Sequence, residues 1–232
     1  MKQYSSIYLI AISPQFNRDA VPQFESFSRN NSCHLYSALT LNHKEILTSY
    51  LNSNHIFYCF DERDKEFLPV DFNELQKDLI FFNTENQSGI LRTLADKHFG
   101  KSAKNLLIFS NSIGMSQADI QRALNLLSID DEAVVIGRTN NNKAAFIGFN
   151  SFNHDLFFNI DWNNCNYDNL LAMVNKHEYF VHVLGNFMVI NNIDDFKNLY
   201  FELSKKESLS YCSPVMHEKF TNLFIEYKDL LK

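Results

Sequence analysis

Glycine is scarce in this chain, with six among 232 residues. Loops that cradle phosphates need several glycines for close backbone approach, and neither GxGxxG nor GxxxxGKS/T occurs. Dinucleotide-binding and P-loop readings are therefore poor. The four cysteines, Cys33, Cys59, Cys165 and Cys212, form no CxxC pair. That spacing argues against a zinc site and against thioredoxin-like chemistry, and the residues read as reduced thiols of a cytoplasmic protein. No run of basic residues interleaved with aromatics appears, and the net charge is −6, so nucleic acid is not an expected partner. No apolar run approaches the roughly 20 residues of a membrane span. The apolar stretch near the start is interrupted and only about seven residues long, which suits a strand and not a signal peptide. With no Pro- or Gly-rich linker and no internal repeat, one domain over residues 1–232 is expected, its last helix (about 214–232) forming an extension.

What is present suffices for a core. The chain is 45% hydrophobic and 21% charged, with 22 Phe, an ordinary balance for a globular protein that needs no disulfide or structural metal. Asn is heavily used, often in pairs such as Asn30-Asn31, Asn163-Asn164 and Asn191-Asn192, which reads as a compositional bias.

Short apolar runs alternate with helical patterns. Strands are expected at Ile7 to Ile12, His55 to Phe60, Leu79 to Phe82, Asn105 to Phe109, Ala133 to Ile136, Ala144 to Phe149 and Tyr179 to Leu184. Helical spacing marks His43 to Leu51, Gln87 to Phe99, a segment ending near Leu127, Asn166 to Lys176, Ile193 to Leu203 and Met216 to Leu231. Ser116 followed by Asp119 predicts a capping box, with Ile120, Ala123, Leu124 and Leu127 as the inner face of its helix. The continuous apolar run NLLIF suits a parallel strand covered on both faces. Two strands joined by the polar loop RTNNNK suggest an antiparallel excursion in a mixed sheet.

From Leu107 onward the residues form blocks in a recognisable order. The first reads IFSNSIGMSQADIQRAL and the second IGRTNNNKAAFIGF; LFFNIDWNN and VINNIDDF follow, and an early loop reads AISPQFNRDAVP. Over most of residues 7–200 this order resembles an uncharacterised bacterial family of GT-A-type, glycosyltransferase-like proteins in the nucleotide-diphospho-sugar transferase superfamily. The family's blocks run approximately GSDCPGL with a later DI, LGPAEDGGYYLIGL, LF-x-x-I-x-WST and D-x-DTPEDL, preceded by AKAPEPGRVKTRL. Ser110, Gly114, Asp119 and Ile120 match the first block, and Gly137, Ile147 and Gly148 the second. Leu156, Phe157, Ile160 and Trp162 match the third, Asp195 the fourth, and Ala11, Pro14 and Arg18 the early loop. The resemblance implies a three-layer α/β fold with a mixed, mostly parallel central sheet.

The departures from the family pattern carry the chemistry. The motif Asp of the first block falls on Asn111, the acidic pair of the second on Asn140 and Asn141, and acidic positions of the fourth on Val189 and Asn191. The Lys and Thr-Arg positions of the early loop fall on Ala20, Val21 and Pro22. In GT-A enzymes a divalent cation, Mg²⁺ or Mn²⁺, bridges carboxylates and the nucleotide diphosphate. Asn offers only a neutral carbonyl, and an amide takes up no proton near neutral pH. The resemblance therefore implies lost or altered transfer activity. An alternative is a non-catalytic scaffold that binds a nucleotide, a sugar or a protein. A further alternative is an active transferase with a rearranged metal site built from Asp61, Asp64 and Asp161, and only that reading calls for Mg²⁺ or Mn²⁺. Asp161 is the candidate base. Ser13, Pro14, Arg18, Ser110, Asn111, Asn140, Asn141, Trp162 and Asn191 are candidates for nucleotide or sugar contact, with a nucleotide-sugar as the possible partner. Trp162 reads as a buried anchor ahead of a sugar-stacking platform. His154, His177 and His182 show no metal-ligand spacing and read as ordinary surface or structural residues.

Overall fold

The computed structural model describes residues 4–48, 54–85, 87–158, 160 and 165–231. Eight strands form one sheet: β1 (Ser5–Ile10), β2 (His55–Asp61), β3 (Leu79–Phe82), β4 (Lys104–Phe109), β5 (Ser112–Ile113), β6 (Ala133–Thr139), β7 (Ala144–Phe149) and β8 (Phe180–Val189). Their order across the sheet is β3-β2-β1-β4-β7-β6-β8-β5. The helices are α1 (Arg29–Thr48), α2 (Gln87–Lys97), α3 (Gln117–Leu126), α4 (His154–Phe157), α5 (Tyr167–Lys176), α6 (Ile193–Leu203) and α7 (Pro214–Glu226). Strand β7 runs antiparallel to β4 and β6, and β5 antiparallel to β8; the other pairings are parallel. This is the expected mixed, mostly parallel three-layer α/β sheet with its antiparallel excursion at β7.

Alternation along the strands sorts side chains into two cores. Ile7, Leu9, Leu106 and Ile108 face one side with Ile120, Ala123 and Leu124 of α3. Tyr8, Ile10, Leu107 and Phe109 face the other with Leu91 and Leu94 of α2 and Leu170 and Val174 of α5. Strands buried on both faces carry no polar alternation, which is why β7 and the last four residues of β1 and β4 read as apolar runs. A third cluster joins α1, α6 and α7 through Leu35, Phe196, Phe220 and Leu223, and Phe27 stacks on Tyr227 with ring centroids 3.8 Å apart. The C-terminal helix is thus packed on α1 and α6.

Helix α3 starts with the predicted capping box. Ser116 Oγ accepts from Asp119 N at 3.3 Å, and Asp119 Oδ2 accepts from Ser116 N at 2.9 Å. Helix α1 begins 14 residues before its expected start at His43. Its first half, RNNSCHLYSALTLN, is rich in residues of low helix propensity, so the helix depends on packing. Leu35, Ala38, Leu39 and Leu47 are buried at helical spacing, and so are the polar Asn31, Ser32, Thr40, Asn42 and His43. Each of these polar groups is bonded to another segment of the chain: Ser32 Oγ accepts from Phe24 N (2.9 Å), Thr40 Oγ1 donates to Gln15 Oε1 (3.1 Å), and Asn42 Nδ2 donates to Tyr211 O (3.0 Å).

Strand β8 continues past its expected end at Leu184. Gly185 and Asn186 lie just beyond that expected end and form a bulge. Opposite it, the β6 register moves from Gly137↔Leu184 to Thr139↔Phe187, and Asn186 takes a φ of 75°. The bulge lets β8 pass from pairing with β6 to pairing with β5.

Gly137 gives a test of this packing. A Cβ placed there would lie 2.3 Å from two ring carbons of Phe146, which is fully buried. Gly137→Ala is expected to cost about 1–3 kcal/mol by overpacking, read as a lowered urea midpoint at unchanged m-value.

Candidate functional site

Six strands, β1, β2, β3, β4, β6 and β8, run in the same direction, so their carboxyl ends share one edge of the sheet. Ligands of open α/β sheets bind at this edge. Every sequence-predicted site residue within the described residues lies there.

Asn111 follows β4 and is buried. Its Nδ2 donates to Asn191 Oδ1 at 2.8 Å, and its carbonyl accepts from Ile190 N at 2.9 Å. Asn191 N in turn donates to Asp195 Oδ2 at 3.0 Å, while Asn141 Nδ2 donates to Asp195 Oδ1 at 3.0 Å. Thr139 Oγ1 donates to Asn141 Oδ1 at 2.6 Å. Three of the four Asn positions, from three separate segments, are thus joined through the carboxylate of Asp195 at the start of α6. Asn140 is exposed and lines, with Asn141, Asp195, Asn198, Phe201 and Glu202, a cavity of about 190 Å³. Ser110 is fully buried, and its Oγ has no hydrogen-bond partner among the described residues.

The early loop sits beside this network. Ser13 Oγ accepts from Gln15 Nε2 at 3.2 Å, Pro14 is buried, and Arg18 is exposed. Asp61 and Asp64 lie at the end of β2, and both are filled by donors. Asp61 receives Arg63 Nε (2.8 Å), Arg63 Nη2 (3.0 Å), Arg63 N (2.8 Å), Thr84 N (3.1 Å) and the Thr84 hydroxyl. Burial by itself would raise this carboxyl, but the Arg63 and Thr84 donors together outweigh it and hold it down at about 2. Asp64 receives the backbone N–H groups of Gln15, Phe16 and Asn17, each at 2.8 Å. Burial pushes its carboxyl upward against the pull of those three donors.

This donor set does not fit a hard divalent cation. Such ions want ionised oxygens with open lone pairs. The mouth presents neutral amides, Asp195 accepts from one of them and from the backbone N–H of Asn191, and Asp61 is saturated by a guanidinium. Among the described residues, no group of three or more His, Cys, Asp or Glu side chains could hold a metal ion. Asp161 and Trp162 lie outside the described residues. His154 begins the short helix α4, and His182 bonds Asp130 at 2.9 Å.

Two groups were not signalled by the sequence. Gln15, fully buried, fixes the early loop. His43 reaches from α1 to Ser112 O at 2.7 Å and so anchors the segment that follows Asn111. Burial lowers His43 to about 4, so it is neutral near pH 7. A helical His on a buried face of mixed polarity carries no sequence signal that separates these roles.

The fold is that of the nucleotide-diphospho-sugar transferases. The chain is similar to a candidate nucleotide-diphospho-sugar transferase from Desulfovibrio desulfuricans, at 18% identity and a TM-score of 0.67, over 100% of this chain and 97% of that one. It is also similar to a cytidylyltransferase from Leptospira borgpetersenii (10% identity, TM-score 0.52, 100% and 97% covered). A third similar structure is Rv0371c from Mycobacterium tuberculosis, solved with manganese (9% identity, TM-score 0.52, 85% and 97% covered). The sequence matches no family model and no curated relative.

The buried titratable groups set an acid limit. His43 binds its proton more weakly in the fold than in the unfolded chain, so its stability contribution is complete above pH 6.5 and is lost as pH falls toward about 4. Partial burial lowers His98 and His217 in the same direction. Asp61 adds a second window, losing about 2 kcal/mol between pH 3.8 and about 2. Urea unfolding measured from pH 7 to 2 is expected to show both losses, and Asp61→Asn to lack the second.

Proposed function

We propose that this protein is a nucleotide-diphospho-sugar transferase relative that has lost or altered metal-dependent transfer, and that it binds a nucleotide or a sugar at the carboxyl edge of its sheet without a divalent cation. The observation that carries this reading is the Asn111–Asn191 contact at 2.8 Å. Two carboxylates at that separation repel each other and need a cation between them. Two amides bond directly, donor to acceptor, and leave no charge for a cation to neutralise. An amide also supplies no general base, so the mouth offers shape and hydrogen bonds in place of proton transfer. A cytoplasmic location belongs to the same reading, supported by cysteines in no CxxC pair and by the lack, among the described residues, of a helix long and apolar enough to cross a membrane.

Calorimetric titration with a panel of sugar nucleotides and free sugars tests this, each with and without Mn²⁺. Binding is expected to be unchanged by the metal and to proceed without transfer or hydrolysis. A tenfold tightening by Mn²⁺, about 1.4 kcal/mol, overturns the reading. The double variant Asn111→Asp/Asn191→Asp supplies the converse. It is expected to melt several degrees below wild type in chelator and to recover when Mn²⁺ is added.

A further inference from the structure

The early loop holds an arrangement that the metal-free reading does not use. Three consecutive backbone N–H groups, those of Gln15, Phe16 and Asn17, converge on a single carboxylate at 2.8 Å each. Successive N–H groups aimed at one point form an anion-binding nest. The nest has further contacts besides those to its occupant. Gln15 Nε2 donates to Ser13 O at 2.8 Å, and Gln15 Oε1 accepts from Thr40 Oγ1 of α1 at 3.1 Å. Asn17 Nδ2 donates to Arg63 O at 3.0 Å, and Cys33 Sγ lies 3.5 Å from the carbonyls of Gln15 and Phe16. Exposed Arg18 follows directly in the loop.

The occupant, Asp64, comes from a segment 47 to 49 residues away and is fully buried. A carboxylate and a phosphate present the same thing to such a nest, anionic oxygens that accept charge-assisted hydrogen bonds. They cannot share it, because like charges at that separation repel. We propose that the Gln15–Asn17 nest is an oxyanion site of phosphate type whose resident ligand is the chain's own Asp64, an internal contact that keeps free phosphate out. Any phosphate-bearing ligand at this loop must first displace that side chain. The proposal stands apart from the metal-free reading, since it concerns different residues and an anion alone.

The test uses the full chain, inorganic phosphate as the probe, and chelator throughout, with no metal and no nucleotide. Thermal unfolding and calorimetry compare wild type with Asp64→Ala. Wild type is expected to show no phosphate-dependent stabilisation at millimolar phosphate. Asp64→Ala is expected to melt lower in phosphate-free buffer, to be raised by phosphate, and to bind it at least tenfold more tightly than wild type. Equal binding by both proteins overturns the proposal, and so does a folded Asp64→Ala that ignores phosphate. Where Asp64→Ala is unfolded in phosphate-free buffer, recovery of the native circular dichroism on adding phosphate supports the proposal. No recovery, or recovery with acetate but not phosphate, overturns it.

Discussion

A hydrogen bond between two uncharged side chains, Asn111 to Asn191, closes the mouth of the sheet and fixes what surrounds it. It ties the segment after β4 to the segment after β8, two strands that are not neighbours in the sheet. The Asn111 carbonyl receives Ile190 N, so the link is double. Asn191 then passes the connection to Asp195 and the start of α6, and Asp195 passes it to Asn141 in the β6–β7 turn. Three loops of this edge are thus held together by protein groups alone.

The same economy governs the carboxylates. The chain carries a net charge of −6, yet the buried carboxylates at this edge each find donors that need no metal. Asp61 takes a guanidinium and a threonine, Asp64 takes three backbone N–H groups, and Asp195 takes one amide and one N–H. A buried carboxylate left without such partners carries a desolvation cost of several kcal/mol. Each side chain is therefore both satisfied and unavailable. What the edge gains in self-sufficiency it loses in affinity for external charge.

Much of this was legible in the residues. Leu79–Phe82, Ala144–Phe149 and Ile193–Leu203 fall where their apolar spacing placed them, because local pattern and burial agree there. The first half of α1 was not legible. Its Asn, Ser and Thr residues favour loops in isolation, and only contacts with distant segments make them helical. The end of β8 was not legible for a related reason, since Gly185 and Asn186 disfavour a strand in a local reading and form a bulge within a paired one. The four Asn positions were found by their place in ordered blocks. The pairing of Asp64 with the early loop was not, because 47 to 49 residues separate partners that share no periodicity.

The network also bears on how charge leaves such a mouth. Replacing one member of a close carboxylate pair by an amide turns a repulsive contact into an amide–carboxylate hydrogen bond, and the Asn141–Asp195 pair at 3.0 Å is such a contact. Replacing the second member leaves an amide–amide bond, and Asn111–Asn191 at 2.8 Å is that contact. Each step keeps a donor facing an acceptor, so neither strands a buried polar group, the usual source of a large destabilisation. Glutamine would not serve as well, since its extra methylene would move the amide away from a partner fixed by backbone. Asparagine is isosteric with aspartate and so fits either partner role at these distances. Amide donors facing an amide and a carboxylate acceptor therefore keep this edge closed with protein groups alone.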